Sequence, residues 1–357
     1  MLALVCAGFS LHPAFLHVFW TRDYLPNILQ QAATNIILAV GMTFAVLTGG
    51  IDLSVGSVMA LCGVALGLTA RTGLPPFLAL AAAFPPGALA GYAASRILAR
   101  RSVSTVAARA AAGAVALAVT LVVGAGVMRA TAGGAGLFAA LLTGIAVGAA
   151  CGLLNGLVVS LGRVPPFVVT LGMLTAARGL TVYATDGNSV SGLPPALGTL
   201  GEGAALVAIA AVVVAVGAIL QGTTCAGRYI RAIGGNEEAT RLAGVNVAAY
   251  KTAAYVLSGL SAAVAAIVLT AKFQLADTGA GMGAELNAIA AVVIGGTSLS
   301  GGRGSVVGSL VGALTIAVLN SGLVLIGVRD TLQGVIIGAV IVAAVMVDQA
   351  RGHKGEA

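Results

Sequence analysis

Charge is scarce in this chain: Asp, Glu, Lys and Arg make up only 8% of its 357 residues. Aromatic residues are few as well, at 4%, with a single Trp. A soluble domain covers itself with charged groups, so this composition excludes one. The three histidines (His12, His17, His353) lie near the ends and form no cluster. Neither a Ser-His-Asp arrangement nor a zinc site can be built from them. The four cysteines (Cys6, Cys62, Cys151, Cys225) show no CxxC or metal-ligand spacing. They are expected to be small buried hydrophobes. The formal net charge is +7, but the basic residues are spread over short loops. That pattern points to membrane topology and away from a nucleic-acid partner.

What is present is apolar: 59% of residues are hydrophobic and the mean hydropathy is +1.06. Apolar stretches of roughly 18 residues or more read as membrane-spanning helices, and they recur from end to end. Fifty-one glycines, with abundant alanine, suit close helix approach in lipid. The expected fold is all-α, a single polytopic membrane domain over residues 1–357. It should have about 10–12 transmembrane helices in two pseudo-repeated halves with broken helices. Candidate spans fall near 1–20, 27–48, 54–70, 74–95, 108–128, 134–161, 165–182, 204–222, 251–271, 284–299, 303–327 and 331–348. The 284–299 segment is short and is expected to cross incompletely. Residues 1–20 have no basic n-region and no A-x-A-like site, so they read as a first span and not a cleaved signal peptide.

Charge orients these spans. With both termini in the cytoplasm, Arg96, Arg100, Arg101, Arg109, Arg163, Arg228, Arg231, Arg241, Lys251, Arg303, Arg351 and Lys354 fall inside. Arg22, Arg71, Arg129, Arg178, Lys272 and Arg329 fall outside, and the opposite orientation would reverse this bias.

Asp52 is the most informative residue. It sits in a glycine-rich break, Gly49-Gly50-Ile51-Asp52-Leu53-Ser54-Val55-Gly56, between two apolar runs. A carboxylate at membrane depth marks a functional candidate, and glycines beside it suggest an opened helix lining a cavity. The competing reading is structural, with Asp52 capping the helix that begins near Leu53. Asn35, Ser54, Asn155, Thr170, Asn287, Thr297, Ser298, Ser300 and Asn320 are further polar residues in or beside apolar spans. Each is a candidate for a polar path or for ordinary interhelical hydrogen bonding. The 35–61 stretch, with GGIDLSVGSVMAL, is echoed by GGTSLSGGRGSVVGSL within 287–310. The echo reads as duplicated halves or as chance in a Gly/Ala/Val-rich chain. Glycines 295, 296, 301 and 302 lack the strand-to-helix context of a phosphate loop.

Two loops stand out. Tyr183 to Glu202 carries turn formers and two prolines and reads as an ordered outer loop. Gly227 to Lys251 is cytoplasmic by charge and holds a short helix signal. Asn236 can cap it, Glu237 and Glu238 occupy its first turn, Arg241 follows Glu237 by four, and Gly244 can close it. A helix this short needs a partner to be stable.

These stretches resemble the permease subunit of ATP-binding-cassette importers for monosaccharides, the ribose/xylose/galactoside group. The matching segments are Asn35–Leu61, Gly152–Gly179, Gly227–Lys251 (GRYIRAIGGNEEATRLAGVNVAAYK) and Glu285–Gly327 (ELNAIAAVVIGGTSLSGG at its start). The resemblance implies no catalysis in this chain, no cofactor, and ATP bound by a partner. It implies a partner ATPase subunit or double-cassette ATPase, an extracytoplasmic sugar-binding protein and a second permease subunit, in such systems usually an identical one. It also implies location in the bacterial cytoplasmic (inner) membrane. Within Gly227–Lys251 it assigns ATPase coupling to Gly234, Asn236, Glu237, Glu238, Arg241 and Gly244. Residues of about 70–133 depart from the pattern and read as inserted helices. Two other classes remain open: an ion-coupled secondary transporter using Asp52, and a permease of the same architecture for branched-chain amino acids or a furanose signal.

Overall fold

The computed structural model describes residues 24–71 and 136–329 continuously, with short stretches such as 85–92 and 332–336 and scattered single residues. The expected span near 331–348 lies partly outside the described residues, and those near 1–20, 74–95 and 108–128 lie mostly outside them. So do most of the expected insert and the Arg96–Arg109 stretch. Among the described residues the elements are α1 (Tyr24–Leu47), α2 (Val55–Arg71), α3 (Leu137–Gly162), α4 (Pro166–Thr185), α5 (Pro195–Gly198) and α6 (Gly203–Thr223). They continue with α7 (Cys225–Gly235), α8 (Glu237–Leu242), α9 (Val247–Phe273), α10 (Ala284–Ile294) and α11 (Val306–Leu325). No strand occurs among them, and the chain is a polytopic helical membrane protein.

Six of these helices (α1, α3, α4, α6, α9, α11) have 20 to 27 residues and are apolar enough to cross a bilayer. At about 1.5 Å per residue they span roughly 30–40 Å, matching a hydrocarbon core of about 30 Å. The 11 residues of α10 rise only about 16 Å, so α10 does not cross alone. Composition sets the layers. The apolar windows of α1 and α9 are 72% and 61% buried, those of α4 and α6 only 17%. Thus α1 and α9 form the centre, while α4 and α6 present apolar side chains outward.

In lipid, burial from water does not drive helices together; close van der Waals packing does. Here α3 carries glycine every fourth residue: Gly144, Gly148, Gly152 and Gly156. A Cβ at Gly148 or Gly152 would collide with the Gly259 or Tyr255 carbonyl of α9, and one at Gly156 would lie 2.6 Å from the Thr252 Cα. Only glycine permits this backbone contact, which seats α9 against α3.

Helix ends follow local chemistry. Pro166 occupies the first turn of α4, where its missing N–H costs nothing. Asn246 accepts from the Ala249 N–H at 3.1 Å to start α9, and Ser305 accepts from the Gly308 N–H at 2.9 Å to start α11. The Tyr183–Glu202 loop is ordered. Val190 and Ala276 exchange backbone hydrogen bonds of 2.9 and 3.0 Å, and Ser189 Oγ donates to Asp277 Oδ1 at 3.0 Å. Arg178 reinforces the seam by donating to the Thr278 carbonyl at 2.6 Å. Cys62 and Cys151 are buried, but Cys225 is exposed at the start of α7. The expectation of four buried thiols therefore fails at Cys225, which sits on a polar loop helix where Arg228 donates to its sulfur, and is met only in part at the half-buried Cys6.

Candidate functional site

The candidate residues fall into three places. The first is the break between α1 and α2. Asp52 is buried there, and each of its oxygens is engaged. Oδ1 accepts from the Ser54 N–H at 3.0 Å and from Ser54 Oγ at 2.6 Å; Oδ2 accepts from Ser258 Oγ of α9 at 2.7 Å. Asn155 of α3 donates to Ser54 Oγ at 2.9 Å, and Thr170 of α4 donates to the Ile51 carbonyl at 3.1 Å. Asp52, Ser54, Asn155 and Thr170 thus form one knot that gathers α1, α2, α3, α4 and α9. The capping expectation needs correcting in detail. The Ser54 carbonyl accepts the first bond of α2, from the Val58 N–H at 2.8 Å, and Asp52 braces Ser54 from behind. Tyr255 of α9 is fully buried beside Gly50, where a Cβ would strike its hydroxyl.

The second place is the break between α10 and α11. Its polar groups are mostly backbone, with one buried side chain from outside: Gln221 of α6 donates to the Gly304 carbonyl at 3.0 Å and accepts from the Val306 N–H at 2.9 Å. The Thr297 N–H donates to the Val292 carbonyl at 3.0 Å, and the Ser298 N–H to the Arg303 carbonyl at 3.0 Å. Ser298 and Ser300 share a hydroxyl contact of 2.8 Å at the surface. Thr297 is buried against Gly304, where an added Cβ would overlap it. Thr297 and Ser298 therefore sit apart from the Asp52 knot. The two breaks touch, however: the Gly302 N–H donates to the Leu47 carbonyl at the end of α1, at 3.0 Å.

The third place is a cavity of about 250 Å³ between α1, α10 and α11, lined by Gln31, Asn35, Asn287 and Asn320 among others. Asn35 and Asn320 meet here, on helices other than those that carry the side-chain partners of Asp52. Gln31 joins them and escaped the sequence reading. The signal was available, because Gln31 and Asn35 are four residues apart and share a helix face.

The Gly227–Lys251 loop forms two short helices. The side chain of Thr224 caps α7 by accepting from the Gly227 N–H at 3.2 Å, and Asn236 caps α8 by accepting from the Ala239 N–H at 2.9 Å. Arg241 pairs with Glu237 at 2.7 Å and with Glu238 at 2.9 Å, and Lys251 of α9 also pairs with Glu237. Gly244, with φ +82°, ends the unit in a conformation that suits glycine. Ile230 and Ile233 of α7 are buried inward. Gly234 lies where the breaks meet: a Cβ there would overlap the Leu47 carbonyl and the Gly302 nitrogen. The loop is seated directly on both broken segments.

A bundle of apolar helices with two interrupted segments, a polar cavity and a capped loop pair is the framework of a membrane permease. The chain belongs to the family described as the permease component of branched-chain amino acid transport systems, whose profile matches residues 24–126 and 105–345. It is 37% identical over 357 residues to the ribose import permease protein of Escherichia coli, covering 98% of this chain and 91% of that one. To the ribose import permease protein of Bacillus subtilis it is 35% identical over 346 residues, covering 95% and 87%. The galactofuranose transporter permease protein of Escherichia coli is 34% identical over 331 residues, covering 91% and 79%. No solved structure matches the chain.

Proposed function

We propose that this chain is the membrane-spanning subunit of an ATP-binding-cassette importer that moves a monosaccharide inward by alternating access. The observation that carries the reading is the Gly227–Lys251 loop, built as a rigid, capped unit resting on both helix breaks. A ligand or partner shifts an inward/outward equilibrium only by binding the two states differently. In this reading the partner ATPase supplies that difference by gripping α8, with Gly234, Asn236, Glu237, Glu238, Arg241 and Gly244 as the coupling residues. ATP binds to that partner, and this chain performs no chemistry. Both termini face the cytoplasm of a bacterium's inner membrane. A binding protein delivers sugar at the seam formed by the Tyr183–Glu202 loop, and a second copy of the chain completes the path. The relatives' sugar names favour a pentose or hexose over the amino acid in the family description.

The decisive test is uptake by proteoliposomes holding this chain with its ATPase and binding protein. ATP-dependent uptake that survives a proton ionophore is expected. Uptake that persists without the ATPase and collapses with the ionophore would replace this reading with an ion-coupled one. Paired Glu238→Lys and Arg241→Glu substitutions should weaken ATPase association at least tenfold while leaving thermal stability nearly unchanged, since exposed pairs contribute only about 0–1 kcal/mol. Undiminished association would remove α8 as the contact.

A further inference from the structure

Most polar side chains buried in this bundle are spent on protein partners. Asp52, Ser54 and Ser258 bond one another, and Asn155 gives its amide N–H to Ser54, leaving only its Oδ1 and the nearby Tyr255 hydroxyl without a partner among the described residues. The cavity between α1, α10 and α11 is different. Asn35, Asn287 and Asn320 line it, and among the described residues none of the three side chains bonds another protein group. Each carboxamide offers two N–H donors and an oxygen with two lone pairs. Turning an amide end for end exchanges which function faces the cavity but removes neither. Gln31 completes the ring, one turn above Asn35, with its Oε1 held by Ser321 Oγ at 3.3 Å. The Oδ1 atoms of Asn35 and Asn320 are buried without a partner, while Asn287 is half-buried and Gln31 exposed; a buried unpaired amide oxygen is costly unless something polar occupies the space it faces.

The remaining lining narrows that occupant. It is alanine, threonine, leucine and isoleucine, and no ionised residue lines the cavity. A free amino acid carries an ammonium and a carboxylate, and each needs a countercharge or a dense set of bonds when taken from water. A sugar carries neither. Its hydroxyls both donate and accept, which matches carboxamides from three helices. The volume, about 250 Å³, lies just below the range of roughly 300–1,000 Å³ typical of drug-sized ligands, as suits a smaller solute. Two other cavities provide the contrast. One of about 370 Å³ between α2 and α9 is walled by Met59, Leu269 and Phe273. One of about 390 Å³ below α1 is walled by Phe44, Ile230 and Leu257. Neither offers a ring of amides.

We infer that Asn35, Asn287 and Asn320, with Gln31, form a transit site for an uncharged polyhydroxylated sugar, while the Asp52 knot is scaffolding and does not touch the solute. The inference rests on the import reading above and deepens it. Uncharged amides bind a sugar weakly enough to release it, which a conduit requires.

The test uses the full assembly in proteoliposomes, with radiolabelled ribose, allose, fructose and leucine as probes. The sugar that the unaltered chain carries fastest then serves for the variants. Asn35→Leu and Asn320→Leu are each expected to cut uptake at least tenfold, with co-purification of the ATPase unchanged. Asn320→Gln, which keeps an amide, should recover part of the rate. Full uptake by the Asn35→Leu/Asn320→Leu double variant would overturn the site and leave the import reading standing. Should those variants fail to assemble, Asn287→Cys, half-buried at the cavity, gives a second readout. Its thiol labelling should slow at least threefold in saturating sugar, and labelling indifferent to sugar would also overturn the site. If the unaltered chain carried leucine and none of the sugars, the monosaccharide reading itself would fall.

Discussion

The two interrupted segments are closed by different means. Between α1 and α2 the opened backbone is tied by side chains from elsewhere: Ser258 of α9 on Asp52, Asn155 of α3 on Ser54, Thr170 of α4 on Ile51. Between α10 and α11 a single outside side chain among the described residues takes part: Gln221 of α6 donates to the Gly304 carbonyl at 3.0 Å and accepts from the Val306 N–H at 2.9 Å. The rest of the turn is held by backbone bonds, and the two helices pack so closely that a Cβ at Gly308 would overlap the Gly295 carbonyl and one at Gly312 the Ala291 carbonyl. Side-chain ties can be exchanged atom for atom. Backbone contact admits no added atom. One break is therefore specified mainly by side-chain ties from three helices, and the other mainly by the absence of side chains around one glutamine. The sequence echo between them conceals that difference, because GG-x-x-L-S occurs in both.

This contrast predicts a graded series, readable by thermal unfolding with a thiol-reactive dye that reports exposure of the buried Cys62 and Cys151. Gly308→Val should be the most damaging, at about 3 kcal/mol or more, because the clash is with backbone that cannot step aside. A near-normal melting temperature would show that the second break has slack. Asp52→Ala should cost roughly 2–4 kcal/mol, since it strands three buried donors. Thr170→Val should cost about 1 kcal/mol by removing one tie to Ile51. Asp52→Asn should cost less than about 1 kcal/mol and keep most of the uptake. The amide oxygen can still accept both bonds from Ser54, and its nitrogen can donate to Ser258 Oγ. Loss of uptake by Asp52→Asn at unchanged stability would mean that the charge itself matters and would break the comparison.

Much of this was legible in the sequence because local rules suffice for it. The break at Gly49–Asp52, the cap at Asn236, the Glu237–Arg241 pairing and the turn at Gly244 all involve residues within a few positions of each other. The short 284–299 segment was also visible, and its helix stops at Ile294. What escaped was long-range. Nothing near Asp52 announces Ser258, 206 residues away, and the three asparagines of the cavity come together only when α1, α10 and α11 pack. The glycine ridge of α3 was written in the sequence at every fourth position, but its partner was not. Val190 pairing with Ala276 follows from the fold that brings the ends of α4 and α9 together, and no period in either stretch encodes it.

α9 runs unbroken for 27 residues from Val247, just past α8, to Phe273, just short of the Ala276 seam. At about 1.5 Å per residue it is a strut of roughly 40 Å with no proline to hinge it. Lys251 ties one end of this strut to Glu237, and Asp277, just beyond its other end, is tied to Ser189. The one Gly/Ser pair along it, Ser258-Gly259, is wedged against Gly41 of α1 and Gly148 of α3. Movement at one end of the strut is therefore expected at the other, so that a push on α8 would be felt at the Val190–Ala276 seam as geometry carried by a single helix.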